Sequence, residues 1–247
     1  MHFEMNGITH QGMVRINNED SISTLPDMGI AILADGMGGH QAGEVASSMA
    51  VEMIKQFYTD RETRKNKDTE EDHLREAIEL ANTAVFELSQ ERPECAGMGT
   101  TIVVSHFIDG KIITAHVGDS RLYRLRNTEL EQVTKDHSVV QELVSRGFMS
   151  QEEASSSMNK NLVTRALGIE ANVEADLVQD DYQAGDIYLL CSDGLSDVVD
   201  RETIQQTLTA HQASLDVASQ KLVDVANEAG GPDNVSVVLV RVLEEEN

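Results

Sequence analysis

Residues 100–126 read TTIVVSHFIDGKIITAHVGDSRLYRLR, and this stretch decides the fold. It holds three apolar, β-branched runs, Thr100–Phe107, Lys111–Val117 and Arg121–Arg126, each bounded by turn residues. Asp109-Gly110 is a hairpin turn, so the first two runs are antiparallel neighbours. Gly118-Asp119 ends the second run with an acidic turn. The same grammar recurs outward from here: GIAILA (29–34) runs into Asp35, and DIYLLCS (186–192) into Asp193. The fourth case is reversed, because Asp233 precedes its run, NVSVVLV (234–240). In an antiparallel sheet one strand ends beside the start of its neighbour. Three aspartates after strands and one before a strand can therefore meet at one edge. Carboxylates gathered there repel one another unless cations lie between them, which points to a metalloenzyme.

Helical spacing fills the intervals. Val45, Ala46, Met49, Ala50, Met53, Ile54 and Phe57 predict a helix over about 43–58. Leu74, Ile78, Ala81, Val85 and Leu88 share one face of a second helix. The charged stretch RETRKNKDTEED between them reads as an exposed connection or a frayed helix start. A short helix is expected after Asp136, capped by that residue or by Ser138, and a longer one over about 215–227. Strands are also expected at 3–9, 186–191 and 235–242. Residues 147–163, rich in Ser, Gln, Glu and Asn, read as an excursion with a short helix near Glu152. The pattern implies α+β with packed antiparallel sheets in one domain over 1–247.

Of the 247 residues, 43 are Asp or Glu and 19 are Lys or Arg, a formal net charge of −24. Such a chain is repelled by nucleic acid and by anionic membranes, so neither is expected as a partner. Cys95 and Cys191 show neither disulfide nor metal-ligand spacing, which fits a reducing compartment. No apolar run approaches spanning length, and a cytoplasmic setting is the expectation. Aspartate oxygens are hard ligands, suited to Mg²⁺ or Mn²⁺. Calcium is the rival, but the acidic residues are too dispersed for a twelve-position loop. Asp-Gly is also an ordinary turn dipeptide, so no single turn proves a site. Arg15 in GMVRINNEDS could clamp two phosphate oxygens or simply pair with Glu19 four residues on.

RINNEDS, ILADGMGGHQAGEVAS, MGTT, AHVGDSRLYRLR, KDHSVVQELV, NLVTRALG, LLCSDGLSD and GGPDNVSVVLV occur in this order. Their order and spacing resemble the bacterial PP2C-type (PPM) serine/threonine phosphatases over about 6–242. The resemblance implies a four-layer αββα sandwich, two packed antiparallel sheets flanked by helix pairs. It implies metal-dependent hydrolysis of phosphoserine and phosphothreonine in proteins, opposing a bacterial Ser/Thr kinase. Two Mn²⁺ or Mg²⁺ ions, with a third, are implied as cofactors.

By matching position, Asp35 would bridge two ions, with the Gly36 carbonyl on one of them. Asp193 and Asp233 would complete the first site, and Asp119 with Asp193 the third. Arg15 would bind phosphate, Asp20 and Glu19 would hold water at the ions, and Asn234 would orient the Asp233 loop. Met37 stands where many eukaryotic members have His, which leaves the general acid unassigned. His40 is the nearest candidate, against a role in anchoring the glycine turn, with water on the metal as the other donor. His137 reads as structural, and Ser120 and Ser192 as hydrogen-bond partners of neighbouring carboxylates. Residues 147–163 match the family's flap beside the active site. A monomer is expected. The rival readings are a non-catalytic phosphatase-like sensor and a metal hydrolase of small phosphate esters.

Overall fold

A computed structural model describes residues 2–39, 42–60, 69–150, 153, 157 and 162–244. His40, and residues 151, 152, 154–156 and 158–161 of the flap-like segment with the helix expected near Glu152, lie outside them, as do 61–68. Eleven strands and six helices occur among the described residues. The strands are β1 Phe3–His10, β2 Asp20–Leu25, β3 Ile30–Met37, β4 Gly99–Thr100, β5 Ile102–Ile108, β6 Lys111–Val117, β7 Arg121–Arg126, β8 Glu129–Gln132, β9 Asp176–Asp181, β10 Ile187–Cys191 and β11 Val235–Val242. The helices are α1 Ala42–Thr59, α2 Glu70–Glu91, α3 Val139–Ser145, α4 Asp193–Ser196, α5 Arg201–His211 and α6 Leu215–Glu228.

Two antiparallel sheets form, one in the order β1-β11-β10-β7-β8 and the other β2-β3-β5-β6-β9, with β4 on β3. The hairpin at 109–110 has both residues at positive φ, 50° at Asp109 and 82° at Gly110, which matches the twist of the flanking strands. Strand alternation then sorts the core into three apolar layers. Ile30, Ile32 and Ala34 of β3 face α1 and α2, together with Ile102, Val104 and Ala115. Ala31 and Leu33 of the same strand face the other sheet, meeting Val103, Leu122, Leu190, Val238 and Val240. Leu189, Cys191, Val237 and Leu239 pack on α5 and α6. The architecture is the four-layer αββα sandwich. No helix among the described residues is long and apolar enough to cross a membrane.

The elements that sequence periodicity does not reveal are mostly edges. β2, β8 and β9 each border a sheet. β8 (ELEQ) buries only Leu130, and β9 (DLVQDD) carries three aspartates. Charge on an edge strand blocks further pairing but erases the apolar alternation. α5 buries only Ile204 and Leu208, too narrow a stripe to register as amphipathic. Ser138, rather than Asp136, caps α3, accepting from Gln141 N–H at 3.3 Å. Asp136 is instead held by Arg121, Nε and Nη2 donating at 2.7–3.0 Å.

Between the first helix pair and β5 lies a polar cluster centred on Glu70. Its Oε1 accepts from Tyr58 Oη at 2.8 Å and lies 2.7 Å from His106 Nδ1, while Oε2 is 3.0 Å from His73 Nδ1. Burial alone would raise the Glu70 carboxyl. The hydrogen bonds and charge of His106, with those of His73 and Tyr58, override it and bring the carboxyl down to about 2. A carboxyl depressed on folding stabilises fully above its ordinary value of 4.5, and loses that contribution as pH falls towards 2. Glu70→Gln is therefore expected to cost on the order of 2 kcal/mol at pH 6, after solvent screening. The difference from wild type should shrink steadily below pH 4.5 in urea titrations. A difference that stays constant down to pH 2.5 would show that Glu70 acts through packing alone.

Candidate active site

β2 and β3 pair in a register that sets Asp20 directly across from Asp35. Like charges facing one another across a ladder destabilise it, so this placement has a use other than stability. The backbone at Asp35 is pinned by the MGTT segment: its N–H donates to Thr101 Oγ1 at 3.0 Å, and its carbonyl accepts from Thr101 N–H at 2.8 Å and Thr100 Oγ1 at 2.9 Å. Gly36 N–H donates to the Glu19 carbonyl at 3.0 Å, and a Cβ on Gly36 would collide with the Gly43 and Glu19 carbonyls. The DG turn thus needs glycine because α1 and the loop before β2 close directly on it. Neither threonine was assigned a role from sequence, although MGTT marked them.

Asp193 opens α4 at the end of β10, and Asp119 follows β6. Asp233 sits before β11. One side chain binds these segments together. Asn234 Oδ1 accepts from Glu19 N–H at 2.8 Å, and its Nδ2 donates to the carbonyls of Gln11 at 2.9 Å and Asn17 at 2.8 Å. The loop carrying Arg15 is thereby tied to the turn carrying Asp233. Arg15 Nη2 donates to Asp233 Oδ2 at 2.6 Å, while its side chain remains 53% exposed. The pairing of Arg15 with Glu19 weighed from sequence gives way to this long-range contact.

The electrostatics record the crowding. Asp35 is driven well above the usual carboxylate range, first by burial and then by Asp20, Asp193, Asp119 and Asp233. Burial, followed by Asp119, Asp197 and Asp233, pushes Asp193 up to about 8. Asp119 rises to about 6 through burial and then Asp136. Burial raises Asp20 to about 6 against the hydrogen bonds of Ser236 and Ser192. Asp35 and Asp193 keep some exposed surface, and burial and the neighbouring carboxylates act on both in the same upward direction. Asp35 thus has Asp20, Asp119, Asp193 and Asp233 as electrostatic neighbours, and Asp197 and Asp136 act on Asp193 and Asp119 in turn.

The serines divide. Ser192 Oγ donates to a carboxylate, Asp20 Oδ2 at 2.8 Å, rather than to adjacent Asp193. Ser120 pairs with Thr101 Oγ1 at 2.7 Å instead of a carboxylate. His137 is buried and clamps the Gly118 turn: Gly118 N–H donates to His137 Nδ1 at 3.1 Å, and His137 N–H to the Gly118 carbonyl at 2.9 Å. Both cysteines are free and buried.

The donor set fits hard divalent cations. Every candidate side-chain ligand is a carboxylate oxygen, and buried Asp20 Oδ1 has no hydrogen-bond partner. Among the described residues no three His, Cys, Asp or Glu side chains close on one ion position. That is compatible with Mg²⁺ or Mn²⁺, because such ions keep several waters and need only one or two carboxylates each.

Comparison with known proteins places this arrangement. Residues 10–235 match the family described as Protein phosphatase 2C. The serine/threonine phosphatase stp of Listeria welshimeri is 38% identical over 243 residues, 97% of this chain and 95% of that protein. The crystal structure of the Mycobacterium tuberculosis serine/threonine phosphatase PstP/Ppp superposes with a TM-score of 0.91 at 38% identity, covering 99% of this chain and 100% of that one. The catalytic domain of PstP in complex with two manganese ions superposes at 0.87 with the same identity, covering 98% and 99%. A match of this extent in sequence and architecture leaves one conclusion: the chain belongs to the protein phosphatase 2C family.

Proposed function

We infer that this protein hydrolyses phosphoserine and phosphothreonine in phosphoproteins, with Mn²⁺ or Mg²⁺ as cofactor. The observation that carries the reading is the convergence of Asp20, Asp35, Asp119, Asp193 and Asp233 with Arg15 at one end of the sandwich. In this reading Asp35, Asp119, Asp193 and Asp233, with the Gly36 carbonyl, would hold the ions between them. When bound, the ions supply Lewis-acid activation of water and compensate the carboxylate charge that would repel a phosphate dianion.

The chain's own residues do the rest. Arg15 is half exposed and bonded to Asp233 through one nitrogen, so its other donors are accessible to phosphate oxygens. Asp20 offers an unsatisfied oxygen for holding water, and its other oxygen is fixed by Ser192. Glu19, raised above its ordinary value by burial despite Arg15, stands beside it as a second acceptor. Asn234 keeps the Arg15 loop and the Asp233 turn in register, so phosphate binding and the carboxylate set stay aligned. Cys191 does not serve as a nucleophile: burial pushes its thiol up to about 12.

The reading extends to a cognate Ser/Thr kinase, a monomer and a cytoplasmic setting, the last supported by two free buried cysteines. A single domain over 1–247 is supported by β1 pairing with β11, which joins the two ends of the chain in one sheet. The substrate class is tested by phosphate release in Mn²⁺ from phosphothreonine, phosphoserine and phosphotyrosine peptides and from pyrophosphate. The phosphothreonine and phosphoserine peptides are expected to exceed the other two by tenfold or more in kcat/KM. Pyrophosphate turned over as well as the peptides would favour a hydrolase of small phosphate compounds. Absence of release from all of them would favour a non-catalytic sensor.

A further inference from the structure

A cavity of about 840 Å³ opens between the loop that carries Arg15, the start of α1 and the turn after α2. Its walls include Asn17, Ala42, Val45 and Pro93, with the oppositely charged Arg92 and Glu94 beside them. Three segments build it: the loop that carries Arg15, the glycine turn and first turn of α1 behind Asp35, and the short turn Pro93–Cys95 after α2. Two of the three also position reacting groups. The Asn17 carbonyl is held by Asn234 Nδ2 at 2.8 Å, so this wall is fixed by the same amide that fixes the Asp233 turn.

The loop has a second unusual property. Ile16 is 92% exposed, Val14 67% and Met13 65%, so apolar side chains flank Arg15 on both sides in water. Exposed apolar residues scattered singly need no explanation, but here three fall within four positions, and Ile16 directly precedes Asn17 of the cavity wall. Ala42, Val45, Pro93, Cys95 and Ala96 give that cavity an apolar wall, and its volume is that of a ligand site taking several side chains. A small phosphate ester at Arg15 has nothing to place there. A polypeptide does, because the residues next to its phosphorylated side chain must cross this surface.

We propose that this cavity and Ile16 bind the apolar side chains flanking the phosphorylated residue of a protein substrate. The occupant is an extended segment, apolar next to the phosphoresidue and not acidic, since a chain of net charge −24 repels acidic flanks. Such a subsite supplies binding energy remote from phosphorus, so a peptide gains over a small ester. The proposal rests on the phosphatase reading above.

The test uses the full chain in Mn²⁺ with three substrates: a phosphothreonine peptide flanked by leucines, the same peptide flanked by serines, and p-nitrophenyl phosphate. Wild type is expected to favour the leucine peptide by about tenfold in kcat/KM, mostly through KM. Ala96→Glu, at an exposed position that tolerates the change, and Val45→Ser should each remove most of this preference. Both should keep kcat/KM for p-nitrophenyl phosphate within twofold of wild type, which also shows that they fold. Equal turnover of the two peptides by wild type overturns the proposal without any variant. Parallel losses on peptide and aryl phosphate also overturn it. Metal-dependent release that lacks a leucine preference sinks the subsite alone, whereas no release from all three substrates sinks the phosphatase reading and the subsite with it.

Discussion

Chelation with EDTA is expected to abolish phosphate release from a phosphothreonine peptide, Mn²⁺ or Mg²⁺ to restore it, and Asp193→Ala to lower kcat/KM by about a thousandfold or more. The magnitude follows from where Asp193 sits. It opens α4 among Asp119, Asp197 and Asp233, and its carboxyl is pushed to about 8 by burial and by these neighbours. A group held at such cost is stable as an anion only with compensating positive charge. The same argument gives a second readout that does not depend on turnover. In EDTA, Asp193→Ala should melt no lower than wild type, because it removes a desolvated carboxylate from a repelling set. In Mn²⁺ wild type should gain thermal stability by linkage, and the variant should gain less. Activity that survived both chelation and the substitution would remove the metal reading. A Tm for the variant well below wild type in EDTA would instead make Asp193 a structural residue.

Gly194→Ala is expected to destabilise the protein by about 3 kcal/mol, at the upper end of overpacking costs, and to lower Tm by roughly 10 °C. A Cβ on Gly194 would run into the backbone carbonyl of Asn234, which has no freedom to retreat. Asn234 follows the Asp233 turn and, through its side chain, holds Gln11, Asn17 and Glu19. The collision therefore drives α4 away from the start of β11, and separates Asp193 from Asp233. Gly39→Ala is the control, because a Cβ there meets nothing within 4 Å. Thermal melting of both variants in EDTA and in Mn²⁺ checks the expectation. Equal melting temperatures would show that the α4–β11 junction yields, and that Asp193 and Asp233 need not be held this closely.

What could be read from sequence, and what could not, divides along physical lines. The central strands β5, β6, β10 and β11 were legible because burial on both faces writes long apolar runs. The border strands β2, β8 and β9 were hidden by the polarity that protects an edge. The aspartates could be placed at strand rims from their position alone, since antiparallel pairing brings such rims together. Two of their supports, Asn234 and Ser192, could be named, but not the distant partners they reach. Asn234 reaches Glu19 across 215 residues, and Ser192 reaches Asp20 across 172, distances over which no local pattern carries information. Arg15 illustrates the same limit: its helical-spacing partner Glu19 was the nearer choice, but folding brings Asp233 to it instead. Ser120 turned to Thr101 because both hydroxyls are buried side by side, which spacing along the chain does not show.

The position of β11 has a consequence for biosynthesis. This strand lies between β1 and β10, and Asp233 and Asn234 stand at its threshold. A ribosome must therefore add 218 residues after Arg15 before the turn that anchors its loop exists. Until then the sheet that contains β1 has a gap beside β10, and the carboxylate set is one member short. A nascent chain stalled ahead of residue 233 has Asp20, Asp35, Asp119 and Asp193 but not the amide that registers them with Arg15. Contacts this distant in sequence also form slowly. The order of synthesis thus postpones the Arg15–Asp233 pair until the strand that closes this sheet is available.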